Sequence, residues 1–264
     1  MSTASVLLAS DSRDSEAPKY SLLLSTDPAL IEAAQRLRYE VFTLEPGFTL
    51  TAASDADCFD QYCDHLLIRD DSSGELVGCC RVLPPAGAVA AGGLYTATEF
   101  DVHELDPLRA SLVEMGRAVV RADHRNGAVV LLMWAGILAY LDHCGHNYVT
   151  GCVSVPIQGV GLPGQQARGV RDFVLKRHRS AYTVQPYRPV SFDGIPLPMR
   201  VTVPPLMRGY LRLGTNVCGE PAHDPDFGVA DFMVLLDKRE ADIRYLNRLR
   251  SVAAASEMAE EIQQ

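Results

Sequence analysis

The chain is predicted to fold as a mixed α/β domain, a central sheet with flanking helices. Three observations predict this. Residues 112–120 read as a strand, Asp123-His124-Arg125-Asn126-Gly127 turns into the apolar run 129–141, and residues 148–155 return as a strand. Strand, glycine turn, buried helix and strand in that order make a crossover unit. Residues 65–68 and 76–83, separated by Asp70-Asp71-Ser72-Ser73-Gly74, make a hairpin signal. Finally, 264 residues with 47% hydrophobic and 22% charged side chains suit a globular protein rather than a fibre or a disordered chain.

The elements follow in order. Residues 1–19 are rich in Ser, Ala and Asp without periodicity, so a disordered tail is expected, with the domain running from 20 to 264. Residues 20–24 read as a short strand. Asp27-Pro28 then opens a helix, Asp27 as cap and Pro28 in the first turn, with Leu30, Ala33, Ala34, Leu37 and Val41 at helical spacing. Residues 45–60 are acidic and turn-rich, hence a loop. Gly78 hints at a bulge or a close backbone approach in its strand. Residues 84–93 and 156–164 read as loops, and 168–179 as a basic helix. Six prolines make 184–205 loop and edge strand. A short helix over 206–213 ends at Gly214, and 232–236 is a last strand. Residues 238–262 read as an amphipathic helix with Ile243, Leu246, Leu249 and Val252 on one stripe.

Charge and cysteines narrow the function. With 33 acidic and 24 basic residues the net charge is −9, which disfavours nucleic acid as a partner. The run 129–141 is too short to span a bilayer and reads as a core helix. Seven cysteines, an odd number without a Cys-x-x-Cys pair, point to reduced thiols and a cytoplasmic protein. Vicinal Cys79 and Cys80 should point to opposite faces of their strand. No signal peptide is read at the N-terminus. His143, Cys144 and His146 lack a further ligand pair, so no metal is expected.

The most informative stretch is Glu114-Met115-Gly116-Arg117. A carboxylate and a guanidinium in an apolar strand are costly to bury unless paired or used. Three apart, they face opposite sides of a regular strand, unless Gly116 bulges it. A structural ion pair and a functional site are equally compatible with the strand alone. Further pieces are Leu37-Arg38-Tyr39-Glu40-Val41-Phe42, Asp57-Cys58-Phe59-Asp60, Cys63-Asp64-His65-Leu66, Val77-Gly78-Cys79-Cys80-Arg81-Val82-Leu83 and Tyr95-Thr96-Ala97-Thr98-Glu99-Phe100. Later come Pro205-Leu206-Met207-Arg208-Gly209-Tyr210, Gly219-Glu220-Pro221-Ala222, Asp224-Pro225-Asp226-Phe227-Gly228 and Ala230-Asp231-Phe232.

Taken together, over about residues 20 to 245, this order resembles the ornithine-lipid N-acyltransferases. They are GNAT-fold enzymes dependent on acyl carrier protein and related to the acyl-homoserine-lactone synthases. The resemblance implies transfer of a long, 3-hydroxylated or plain fatty acyl group from a carrier thioester to an amino acid's α-amine, ornithine first. Glu114 is then the base, since burial raises a carboxylate toward neutrality. Backbone N–H groups at a splayed strand would face the oxyanion.

Arg38, Phe42, Asp57, Asp60, Arg81 and Arg117 are implied at the amino-acid site. Arg81 and Arg117 either anchor a substrate carboxylate or organise the acidic loop. Asp57 and Asp60 either hold a cationic amine or salt-bridge those arginines. Arg125, Asn126 and Gly127 would offer helix N–H groups to the donor's phosphate. One glycine there, where CoA-using relatives carry a longer loop, favours acyl-phosphopantetheine of acyl carrier protein over acyl-CoA. Arg168, Arg171, Lys176, Arg177 and Arg179 are the candidate face for an acidic carrier, equally readable as a solvated helix face. The 243–252 stripe packs on the core in its first reading. In its second it rests peripherally on the inner membrane face, which its mixed acidic and basic polar side disfavours. The rivals are lactone synthesis from S-adenosylmethionine and a non-catalytic acyl-carrier- or lipid-binding protein.

Overall fold

The computed structural model describes residues 4–9, 19–45 and 54–249. Parts of the expected tail, of the 45–60 loop and of the C-terminal helix, Val252 included, lie outside the described residues. The elements are β1 (Ala4–Ala9), β2 (Tyr20–Ser25), α1 (Pro28–Phe42), β3 (Asp64–Asp70), β4 (Leu76–Leu83), α2 (Pro85–Ala90), β5 (Phe100–Asp101) and β6 (Leu112–Val120). They continue with α3 (Gly127–Cys144), β7 (Tyr148–Pro156), α4 (Gln165–Arg177), β8 (Gln185–Pro186), α5 (Pro205–Leu213), β9 (Asn216–Val217), β10 (Ala222–Asp224) and β11 (Val229–Asp237). The main sheet runs β1-β2-β3-β4-β6-β7-β11-β10, with β9 also on β11, and β5 pairs β8 apart from it. Of its named pairs only β6–β7 is parallel, as the crossover through α3 requires.

Strand alternation sorts the core onto the two faces of the sheet. Leu22, Leu66, Cys80, Met115, Phe232 and Val234 share one cluster with the buried sides of α3, α4 and α5. Leu23, Leu67, Cys79 and Val119 pack under α1, and Leu83, Leu112, Met233 and Leu235 under α2 and the turns after it. Cys79 and Cys80 thus face apart, as expected. α1 starts where its signals stand: Asp27 accepts from the Ala29 N–H at 2.8 Å, with Pro28 behind it. Asn126 caps α3 by accepting from the N–H groups of Ala128 and Val129, both at 3.1 Å, and Gly145 closes it at φ +72°. Ten α3 residues are buried, so its apolar run belongs to the core.

Four expectations are corrected. Residues 4–9 form a strand rather than tail, because they zip antiparallel onto β2 and bury Leu8; an edge strand leaves little trace in local sequence. Residues 85–90 form a short helix inside the expected loop, with Pro85 in its first turn. The last described helix starts at residue 243, capped by Asp242, rather than at 238. Its Leu246 and Leu249 join the core, whereas Ile243 is exposed. Arg179 lies beyond the end of α4, bridging to Val217.

Candidate active site

The site begins with an irregularity in β6. Cys79 opposes Val119, but Arg81 opposes Gly116, so β6 carries one residue more than β4 between these pairs. The extra residue is absorbed at Arg117, whose φ of +52° is left-handed. This bulge brings Glu114 and Arg117 to the same neighbour. The Tyr95 N–H donates to Glu114 Oε2 at 2.5 Å, and Arg117 Nη1 donates to the Tyr95 hydroxyl at 3.3 Å. Beyond Glu114↔Thr150 the pairing of β6 with β7 stops, and the strands part.

Glu114 is 4% exposed. Its second oxygen accepts from the Thr96 N–H at 2.8 Å. Burial pushes its carboxyl above the ordinary range, against the pull of these two donors and the Arg81 charge.

Beside it lies a network of paired charges. Arg38, 1% exposed, donates from Nη1 and Nη2 to Asp60 at 2.9 Å each and from Nε to Asp55 at 2.8 Å. Arg81 donates to Asp57 at 2.6 Å and to Asp60 at 3.2 Å. Arg117 Nε lies 3.1 Å from Asp55, and its guanidinium sits between the Tyr95 and Phe227 rings at 4.9 and 5.4 Å. Hydrogen bonds and charge from Arg38 and Arg81 hold Asp60 well below the usual carboxylate range, although its burial works the other way. Asp57 and Asp60 form the ion pairs with arginine that one of the two open readings describes, while Asp57 Oδ2 is buried without a hydrogen-bond partner. Asp55 is a member the sequence reading missed.

A cavity of about 680 Å3 opens where β6 and β7 part. Glu114, Arg81, Arg117 and Phe42 line it; Arg38, Asp57 and Asp60 stand behind the wall. On one face of the sheet its lining carries the polar groups Glu114, Glu99, Asp224, Asp231 and Ser154, set among apolar side chains such as Phe42, Phe59 and Leu83. On the other it is apolar: Val130, Met133, Trp134 and Ile137 of α3, with Leu206 and Tyr210 of α5. Trp134 and Tyr210 meet edge to face at 4.6 Å.

Glu99, Asp224 and Asp231 each bring one carboxylate oxygen within 4.8 Å of the others, and could together hold a cation. Among the described residues no Lys or Arg pairs with any of them. Ser154 Oγ donates to Asp231 at 2.5 Å, and Oε2 of Glu99 is buried without a hydrogen-bond partner. Burial raises both Glu99 and Asp231, and the negative charge of Asp224 adds to the rise of each. The sequence reading quoted these three residues within motifs but gave them no role. The signal was available at Asp231, a carboxylate inside an apolar strand just as Glu114 is.

The donor-side candidates scatter. Arg125 lines the cavity, and its guanidinium also reaches Val120 O at 3.0 Å and Glu45 at 3.1 Å. Asn126 spends its carboxamide on α3 and on Tyr20, so two of the N–H groups expected to be free are taken. Gly127 opens the helix with open space where a Cβ would stand. On α4, Arg171 stacks on Phe192 at 5.0 Å and reaches Glu220 at 3.3 Å, and Arg168 is half-buried. Lys176, Arg177 and Arg179 are exposed.

A splayed sheet with a buried carboxylate at the parting point defines an acyltransferase of the GNAT class. In agreement, residues 37–135 match the model of the acetyltransferase (GNAT) domain family. The chain belongs to the L-ornithine N(alpha)-acyltransferase family. It is 31% identical over 243 residues to the L-ornithine N(alpha)-acyltransferase of Brucella abortus (strain 2308), covering 85% of this chain and 86% of that one. To the enzyme of the same name from Rhizobium meliloti (strain 1021) it is 32% identical, over 85% and 82% of the two chains. Its fold is similar to that of FeeM, an N-acyl amino acid synthase from uncultured soil microbes, at a TM-score of 0.52, 13% identity and coverage of 86% and 94%. The resemblance read from the motifs is therefore borne out for family, fold class and reaction type.

Proposed function

We propose that this acyltransferase moves a long fatty acyl group from an acyl-carrier-protein thioester to the α-amine of L-ornithine, in the cytoplasm. One observation supports this above the others: a single cavity joins carboxylates on one face of the sheet to an apolar chamber on the other, past Glu114. A diamino acid and a fatty chain need those two environments. The family relatives are named for ornithine as acceptor.

Glu114, raised by burial, takes a proton from the α-ammonium. The freed lone pair attacks the thioester carbonyl. The C–N bond forms, the C–S bond breaks, and the pantetheine thiolate leaves, taking up the second proton that the attacking nitrogen gives up as it becomes an amide. The edge of β6 that loses β7 beyond Glu114 offers N–H groups for the oxyanion. Glu99, Asp224 and Asp231 face the acceptor's second ammonium. Arg81 and Arg117 hold the acidic loop under the site, and Arg125 faces the donor's phosphate. Lys176, Arg177 and Arg179, exposed at the end of α4, meet the acidic carrier.

The test is a screen of purified protein with ornithine, lysine, neutral amino acids and S-adenosylmethionine, each with carrier and CoA thioesters. N-acyl-ornithine from the carrier thioester is expected, reduced roughly 100-fold or more in Glu114→Gln. Amide formation with neutral amino acids alone, or unimpaired turnover by Glu114→Gln, contradicts the reading.

A further inference from the structure

Among the described residues, four glycines sit inside helices beyond the first position: Gly87, Gly136, Gly169 and Gly209. A glycine there weakens a helix relative to alanine, so each calls for a reason. Three have one in close packing. A Cβ on Gly136 would lie 2.2 Å from Leu22 Cδ2, one on Gly169 2.6 Å from Pro198 Cγ, and one on Gly87 2.3 Å from the Tyr62 carbonyl oxygen. Gly209 has none: a Cβ on it would meet nothing within 4 Å. Its φ lies outside the left-handed region, so its backbone conformation does not demand glycine either.

Gly209 does line the cavity, between Leu206 and Tyr210 on α5. It stands on the apolar side, where α5 meets α3 through the Trp134–Tyr210 contact. There Val130 and Leu206, both lining the cavity, are 39% and 42% exposed, unusual for apolar side chains in a pocket wall. A hydrocarbon chain lying between α3 and α5 would cover them.

We infer that the acyl chain runs past Gly209 and that the missing side chain there sets the chain length the enzyme accepts. The inference rests on the proposed fatty acyl transfer and adds the residue that selects its donor. Helix stability is given up at one position to keep the chamber open. Each methylene that enters such a chamber strengthens binding roughly fourfold, so a side chain blocking a few of them discriminates strongly between lengths.

The test uses the full chain, with a medium-chain and a long-chain fatty acid as probes, bound in the absence of carrier and acceptor. Wild type is expected to bind the long chain more tightly. Gly209→Leu should weaken the long chain roughly tenfold or more and the medium chain less than about threefold. Gly209→Ala should fall between them and melt higher, by roughly 2 °C, because the helix gains a better former. A folded Gly209→Leu with an unchanged length preference overturns the inference, and so does a Gly209→Ala that melts lower. Binding is read without turnover. A chain-length effect in a protein that acylates no amine would therefore refute the proposed reaction and leave the chamber assigned.

Discussion

Two acidic groupings serve the same site, one behind the cavity wall and one lining it, and they are built in opposite ways. Asp55, Asp57 and Asp60 are matched by Arg38, Arg81 and Arg117, with Arg38–Asp60 bidentate. Glu99, Asp224 and Asp231 crowd together with no cation paired to them among the described residues. In the first grouping the charges hold the loop against β4 and β6, and lie mostly behind the cavity. In the second they line it. Buried charge that is already paired serves as scaffold. Buried charge left unpaired keeps its attraction for a ligand, at a cost to the folded state. Sequence alone left Asp57 and Asp60 open as amine ligands or as partners of the arginines; the structure pairs them with Arg38 and Arg81, and the acceptor role proposed above falls to the second grouping.

The largest effect expected from this contrast is on stability. Asp60→Ala leaves Arg38 buried with half its partners and should destabilise the protein by about 3–5 kcal/mol in denaturant unfolding. A loss under about 1 kcal/mol would break the distinction. Removing charge from the other grouping should spare the fold and strike the acceptor. Glu99→Gln with Asp231→Asn should raise KM for ornithine roughly tenfold or more, read in steady-state kinetics, with little change in KM for the acyl donor. Equal loss on both substrates would merge the two regions again.

The smallest effect is the pH dependence of stability. Glu99 is raised to about 8 in the folded chain. Between the ordinary carboxylate range and that value the folded state binds the extra proton, so stability should fall as pH rises through this window. Asp60 is depressed, so its contribution is present above the ordinary range and lost as pH falls below it. Denaturation across pH should show both limbs, and Glu99→Gln should flatten only the alkaline one.

Much of the fold was legible because its signals are local. Asp27-Pro28 starts α1, Asn126 starts α3, Gly214 ends α5, and the crossover from β6 to β7 follows from order alone. β9 and β10 were not, since they are two and three residues long and exist by pairing with β11, and neither was β1, which exists by pairing with β2. The catalytic candidate Glu114 was legible because a carboxylate in an apolar strand is conspicuous wherever it occurs. The same reasoning applies to Asp231, yet Glu99 and Asp224 come from a turn and an edge strand and carry no such mark.

Local chemistry by itself settled the helix caps, the alternating strands and the presence of an acid within the sheet, because those depend on neighbours a few residues away. The family could be read from the order of its motifs. Only the tertiary structure decided which charges cancel and which remain. Pairing energies depend on distances between atoms that come from Asp55 through Asp231, and those distances exist only once β6 bulges at Arg117 and parts from β7.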